Sequence, residues 1–141
     1  MNRFEEFYNR QQELSKAYKT TPTRETAEYC KTEMDAIWKE ITSKGIAFTA
    51  MFNYYADSLS DGNELLDIGR DAIWEKDVPA FLSAMRMGGV KHFTFSSGWS
   101  SAIEIAWCFQ QHGCTLEGLT EVYKNKKENK SPALLFTINW S

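Results

Sequence analysis

Cysteine, proline and glycine are all scarce in this chain of 141 residues, at 3, 3 and 8. Three cysteines (Cys30, Cys108 and Cys114) are too few, and odd in number, for a disulfide scaffold. So little proline and glycine excludes a low-complexity or disordered chain. No apolar run approaches the roughly 18 residues that a membrane span requires. The opening Met1-Asn2-Arg3-Phe4-Glu5-Glu6 lacks the apolar stretch of a secretion signal. Together these absences set the expectation of a cytoplasmic protein with no membrane partner. Basic charge is not in excess either, since 16 Lys/Arg stand against 19 Asp/Glu for a net −3. Direct nucleic-acid binding is therefore not expected of the chain as a whole, although a local basic patch is still open.

Aromatic bulk, by contrast, is plentiful. Five Trp, 6 Tyr and 9 Phe supply ample material for the core of one domain. Charge and hydrophobic period both change near residue 90. Residues 1–90 carry 11 Lys/Arg against 15 Asp/Glu, whereas 91–141 carry 5 against 4.

Phe4, Phe7, Tyr8, Gln11, Leu14 and Tyr18 recur at steps of three and four, the stripe of an amphipathic helix. Asn2 and Glu5 offer it a capping box. Thr21-Pro22 then predicts the start of a second helix, with Ala27, Cys30, Met34, Ile37, Trp38 and Ile41 inward and Lys44-Gly45 closing it. The link between the two is short, so they pair as a hairpin. Residues 46–59 are apolar on almost every side, as in a buried helix. After Asp61-Gly62-Asn63 a fourth helix is expected over 64–76, with Leu65, Leu66, Ile68, Ala72 and Ile73 inward. Asp77 and Pro79 open a fifth that ends at Gly88-Gly89.

Beyond Gly89 the period becomes two, as Phe93 and Phe95 alternate with His92 and Thr94. Ser101 and Glu104 form a second capping box, opening a helix with Ala102, Ile105, Ala106 and Phe109 on one face and a stop at His112-Gly113. Residues 116–123 and 133–140 read as two strands, the latter with Leu134, Phe136, Ile138 and Trp140 on one face, joined by a long polar tip into an antiparallel hairpin. The fold class is therefore α+β: a bundle of about five helices over 1–88 packed on a β-α-β-β unit over 89–141. Some fifty residues alone make a marginal fold, so the two parts are expected to form one compact domain.

Four groups of residues are candidates for chemistry. Asp57, Asp61, Glu64, Asp67, Asp71 and Glu75 step by three and four, a helical row of carboxylates without an answering basic row. Like charges at that spacing repel, and a basic protein surface would relieve them; the bland alternative is a solvated face. Ser97, Gly98, Ser100 and Ser101 crowd a helix start where free N–H groups attract anions, although capping alone accounts for serines there. The segment also resembles a nucleophile elbow, but no Asp follows it and the chain is too short for a hydrolase sheet. Lys124, Lys126, Lys127 and Lys130 make a basic loop able to touch phosphates, or simply a charged tip that discourages edge pairing. Cys108 and His112 share a helix face and Cys114 follows, yet neither His92 nor Cys30 completes a recognised zinc spacing. No metal and no cofactor are expected.

The stretch from His92 to Trp140 carries a Phe-Thr-Phe-Ser-Ser strand, a serine-capped helix ending near His112-Gly113-Cys114, a Leu-Glu-Gly-Leu strand and a closing Pro-Ala-Leu-Leu-Phe-Thr-Ile-Asn-Trp strand. It resembles the C-terminal region of small uncharacterised proteins carried by phages and conjugative elements of Gram-positive gut bacteria. No activity attaches to that family, so the resemblance transfers no functional residue. Its setting implies an accessory role on a mobile element, of the kind played by inhibitors of host defence. The leading expectation is a non-catalytic, protein-binding accessory protein, in its sharpest form an anti-CRISPR-like inhibitor of a nucleic-acid-targeting nuclease, engaging a basic protein surface through the acidic row. The alternatives are a small ligand-binding or enzymatic domain using residues 96–101, and a DNA-associated protein using the 124–130 loop.

Overall fold

The computed structural model describes residues 2–20, 23–69 and 73–139, and the fold is α+β. The first two helices, α1 (Arg3–Thr20) and α2 (Arg24–Ser43), form the expected hairpin. The Asn2 carboxamide accepts the Glu5 N–H at 2.7 Å, which makes the first half of the capping box. The cap of α2 is Thr23, whose hydroxyl accepts the Thr26 N–H at 3.1 Å. The Thr21-Pro22 start expected from sequence lies outside the described residues. Helix α3 (Ile46–Ser60) buries Phe48, Met51, Phe52 and Tyr55 against Phe4 and Phe7 of α1. Ring centroids of Phe4 and Phe48 lie 4.8 Å apart.

Among the described residues of 64–76 the expected helix does not form. The chain instead turns after α3, enters a short strand β1 (Asp67–Ile68), and later makes a 3-10 turn at Glu75–Asp77 before α4 (Val78–Met87). Leu65, Leu66 and Ile68 have helical spacing, but Asp67 and Ile68 pair in parallel with Thr94 and Phe95. Pairing with a strand far along the chain outweighs the local preference. Gly69 follows at φ +111, where a Cβ would meet the Ser97 backbone nitrogen at 2.7 Å, so this turn needs glycine.

Strand β2 (His92–Phe95), helix α5 (Ala102–Gln111) and strands β3 (Cys114–Lys124) and β4 (Asn129–Ile138) complete the expected β-α-β-β order. With β1 they form a mixed sheet in the order β1-β2-β4-β3, antiparallel across β2-β4 and β4-β3. The hairpin tip is tighter than the sequence implied. It spans only residues 125–128, with Asn125, Lys126 and Lys127 at left-handed φ of 50, 55 and 72. Trp140, expected inward on the last strand, lies outside the described residues.

One face of the sheet carries a ring cluster. Phe109 of α5 sits 5.2, 5.4 and 5.4 Å from Phe93, Phe95 and Phe136. Fully burying each such side chain contributes about 1.5–3 kcal/mol, and the edge-to-face geometry adds to it. Buried side chains run without a break from this cluster through Ile68, Leu82 and Met85 to Phe4 and Phe52. Helices and sheet thus share one core. Its far corner is closed by Gly88, where a Cβ would meet the Phe4 ring at 2.6 Å.

Candidate functional site

The sheet's opposite face shows where several of the weighed residues end up. Asp67 is only 1% exposed. Its carboxylate accepts the Thr94 hydroxyl at 2.7 Å and the Ser96 hydroxyl at 2.6 Å, and it faces the Lys124 ammonium at 3.1 Å. That ammonium also donates to Ser96 at 2.7 Å. Every partner the carboxylate needs is present, so the group is a staple of β1, β2 and β3. A Lys124 ammonium held by Asp67 has no lone pair with which to take the Ser96 proton, so the constellation does not assemble a serine nucleophile.

The acidic row is not a surface. Without a helix over the described part of 64–76 the five described positions share no helical face. Asp57 is exposed on α3, Glu64 in the turn after it and Glu75 in the 3-10 turn. Asp61 is buried at the end of α3, where it accepts the Lys126 backbone N–H at 3.0 Å. Asp67 is buried in the staple, and Asp71 lies outside the described residues. The basic loop is likewise largely committed. Lys124 is in the staple, the Lys127 stem lies across Gly62, and Lys127 and Lys130 each sit 5.6 Å from the Tyr123 ring. Lys130 also faces Glu121 at 3.7 Å. Only Lys126 is left without such a side-chain role among the described residues.

The serine-rich segment makes local turns. Ser97 accepts the Trp99 N–H at 3.1 Å, and Ser101 stands at the N-cap of α5 without a side-chain cap bond. The capping box expected there is not made, while Gly98 and Ser100 are exposed. Cys108 and His112 do meet, with sulfur and Nδ1 3.7 Å apart, but Nδ1 lies closer to the Cys108 carbonyl, at 2.9 Å. Burial raises the Cys108 thiol above its ordinary range, and pushes that of Cys114 up to about 11. Protonated, buried thiols are poor ligands and poor nucleophiles. Among the described residues no three His, Cys, Asp or Glu side chains are placed to hold a metal ion.

The least expected feature lies on the outer side of α5. Ile103 is 82% and Trp107 60% exposed, and one helical turn separates them. On β3, Leu119 is 81% and Leu116 39% exposed. Ile103, Trp107 and Leu116 line, with Ala106 and Leu134, an open groove of about 360 Å³ between α5 and the hairpin, and Leu119 lies beside it, opposite Leu134 in the ladder. Phe109 seats α5 on Phe93 of β2 and Phe136 of β4, and the part of β3 at Leu116 and Leu119 is left exposed beside the helix. Strand β3 is an edge of the sheet, and a register shift between Leu116 and Gly118 interrupts its ladder. The side chain of Asn63 occupies that edge at Tyr123, accepting its N–H at 2.8 Å and donating to its carbonyl at 3.0 Å. Toward Leu119 the edge is not occupied in this way. No carboxylate of the described residues lines the groove: Glu104 and Glu121 border other concavities, while Glu117 is exposed on β3. Sequence held a signal for half of this. Ile103 and Trp107 recur at a step of four, away from the inward face of Ala102, Ile105 and Phe109. Leu116 and Leu119 gave none, because an apolar residue in a strand reads as core.

An α+β fold with an open apolar groove has the form of a binding domain. The chain belongs to the family described as Domain of unknown function (DUF7698), whose model matches residues 50–138. The match takes in most of α3, the whole sheet, α4 and α5, so the groove lies inside it. No curated protein and no solved structure matches the chain.

Proposed function

We propose that this chain is a non-catalytic protein-binding protein, and that the groove between α5 and β3 is where its partner docks. The observation that carries this reading is the exposure of Ile103, Trp107 and Leu116 around one groove, with exposed Leu119 beside it opposite Leu134. Exposed single apolar residues are ordinary, but a contiguous set containing Trp is the composition of an interface centre. The partner's chemistry follows from the lining and the net charge. The apolar lining favours an apolar segment, and exposed Glu117 on β3 with a chain net charge of −3 favours Lys or Arg flanking it. The expectation of a basic protein partner is thus retained on a different surface. The three cysteines are unpaired and buried, which supports a reducing compartment such as the cytoplasm. No described helix is long and apolar enough to cross a membrane.

The narrower reading, an accessory protein of a phage or conjugative element that inhibits a host nuclease, has the sequence resemblance as its support. The acidic row that would have filled a nucleic-acid groove is dispersed, so the present proposal concerns protein binding.

The test pairs wild type with the double variant Ile103→Asp, Leu119→Asp. A photo-reactive residue at position 107 should cross-link one partner in the native cell, and that partner should bind the purified wild-type chain more weakly as salt rises. The double variant should lose at least about 100-fold in affinity while keeping its melting temperature. Equal binding by the two proteins would refute the groove as the docking surface.

A further inference from the structure

A second concavity lies across the molecule, where the start of α1 meets α3 and the approach to β2. It has a volume of about 380 Å³ and is walled by Asn2, Glu5, Tyr55, Glu64, Lys91 and His92, within the size range of small-molecule sites. Its floor is apolar, supplied by Leu65, Leu66 and Val90.

One group there lacks an explanation in the fold. Tyr55 is 4% exposed, with its ring packed against Phe4 and Tyr8. No described residue hydrogen-bonds its hydroxyl. The oxygen is not among the fully enclosed unpartnered atoms, so it opens onto the concavity that Tyr55 lines, where water or a ligand would take the hydrogen bond that the fold does not supply. Burial, and then the nearby Glu5 carboxylate, push the phenol up to about 12, so it stays protonated at neutral pH and offers one O–H donor and a lone pair.

The other groups define the ligand. Two carboxylates, Glu5 and Glu64, come from different segments of the chain. The Asn2 carboxamide oxygen is already engaged by the Glu5 N–H, and His92 Nδ1 lies 3.0 Å from the Thr137 hydroxyl. The opposing charge is the exposed Lys91 ammonium. We propose that this cavity binds a small alkylammonium compound, its ammonium held by Glu64, Glu5 and the Tyr55 oxygen and its alkyl part lying on Leu65 and Val90. A diamine and a free amino acid share that chemistry, and Lys91 separates them because it could hold only the latter's carboxylate. The inference stands independently of the groove.

Isothermal titration of the purified chain with putrescine, and separately with L-lysine, at fixed ionic strength tests it. At least one should bind saturably with a dissociation constant below about 1 mM. Glu64→Gln should weaken that binding about tenfold or more, and Tyr55→Phe about fivefold to tenfold, each loss being that of a hydrogen bond or ion pair to a charged group. Tyr55→Phe removes a hydroxyl without a described partner, so its melting temperature should equal or exceed that of wild type. Lys91→Ala should weaken L-lysine alone in the case of an amino acid, and leave putrescine unchanged in the case of a diamine. The absence of saturable binding by both amines would overturn the proposal, as would affinities that persist unchanged in either Glu64→Gln or Tyr55→Phe.

Discussion

The α1-α2 hairpin and the unit matched by the family model are held together by different means. Over its 20 residues α2 buries only Cys30 and Ile41, and α1 is anchored mainly at its start by Phe4 and Phe7. The hairpin's ion pairs are exposed, as in Arg10–Glu13 and Arg24–Glu28. Such pairs contribute about 0–1 kcal/mol each. The matched unit instead has the four-ring cluster around Phe109 and a charged pair, Asp67–Lys124, with the carboxylate wholly inside. It also carries the exposed groove. Local periodicity builds the hairpin, whereas contacts between distant segments build the unit and leave the binding surface on it.

That contrast can be broken most severely at its centre. Phe109→Ala should cost about 3–5 kcal/mol, enough to leave much of a marginally stable chain unfolded, as circular dichroism in urea would report. Leu14→Ala in the hairpin, a smaller side chain with fewer buried neighbours around it, should cost less, about 2–3 kcal/mol. An equal loss from the two would mean that the hairpin is as integral as the sheet.

The staple comes next. Lys124→Met leaves the Asp67 carboxylate buried with only hydroxyl donors, and should cost about 2–3 kcal/mol because Lys124 itself is partly exposed. Adding Asp67→Asn should recover part of that loss, since no buried charge then remains unpaired. A double variant as unstable as the single one would assign the cost to packing rather than charge.

The same periodicity that marks α1 and α2 predicts a helix over 64–76 that the described residues do not form. Leu65, Leu66 and Ile68 satisfy a helix stripe, but the parallel partner of β1 is Thr94-Phe95, some 27 residues on, and no local pattern carries that information. The acidic row failed for the same reason, since it required the helix that this pairing replaces. The β-α-β-β order was legible because the alternation of Phe93 and Phe95 and the Ala102–Phe109 stripe are each local. The groove was only half legible, because which face of β3 is covered depends on where α5 comes to rest.

Alkaline titration gives a smaller effect, again in the matched unit. Burial lifts the Cys114 thiol from its ordinary 9.0 to about 11, against a lesser lowering by Arg86. The folded state thus keeps a proton that the unfolded state has lost, and this stabilisation is present in full below about pH 9 and is lost as pH rises through about 11. The melting temperature should fall by several degrees across that window, and Cys114→Ala, measured against its own neutral-pH value, should fall by less. An identical slope in both proteins would remove Cys114 as the cause.

Smallest are the helix caps, which separate the regions most finely. Thr23→Ala removes a cap bond actually made in the hairpin and should cost about 1 kcal/mol. Ser101→Ala removes none and should stay within about 0.5 kcal/mol of wild type. Equal losses in urea titrations would show that Ser101 caps α5 in solution.

Hydrogen exchange of the purified complex with the cross-linked partner, compared with that of the free chain, tests the central claim most directly. Partner docking in the groove predicts slowed exchange in peptides covering 102–107 and 114–121, with 3–43 unchanged. Slowed exchange on 3–43, with 102–121 exchanging as in the free chain, would contradict it and move the binding surface to the hairpin.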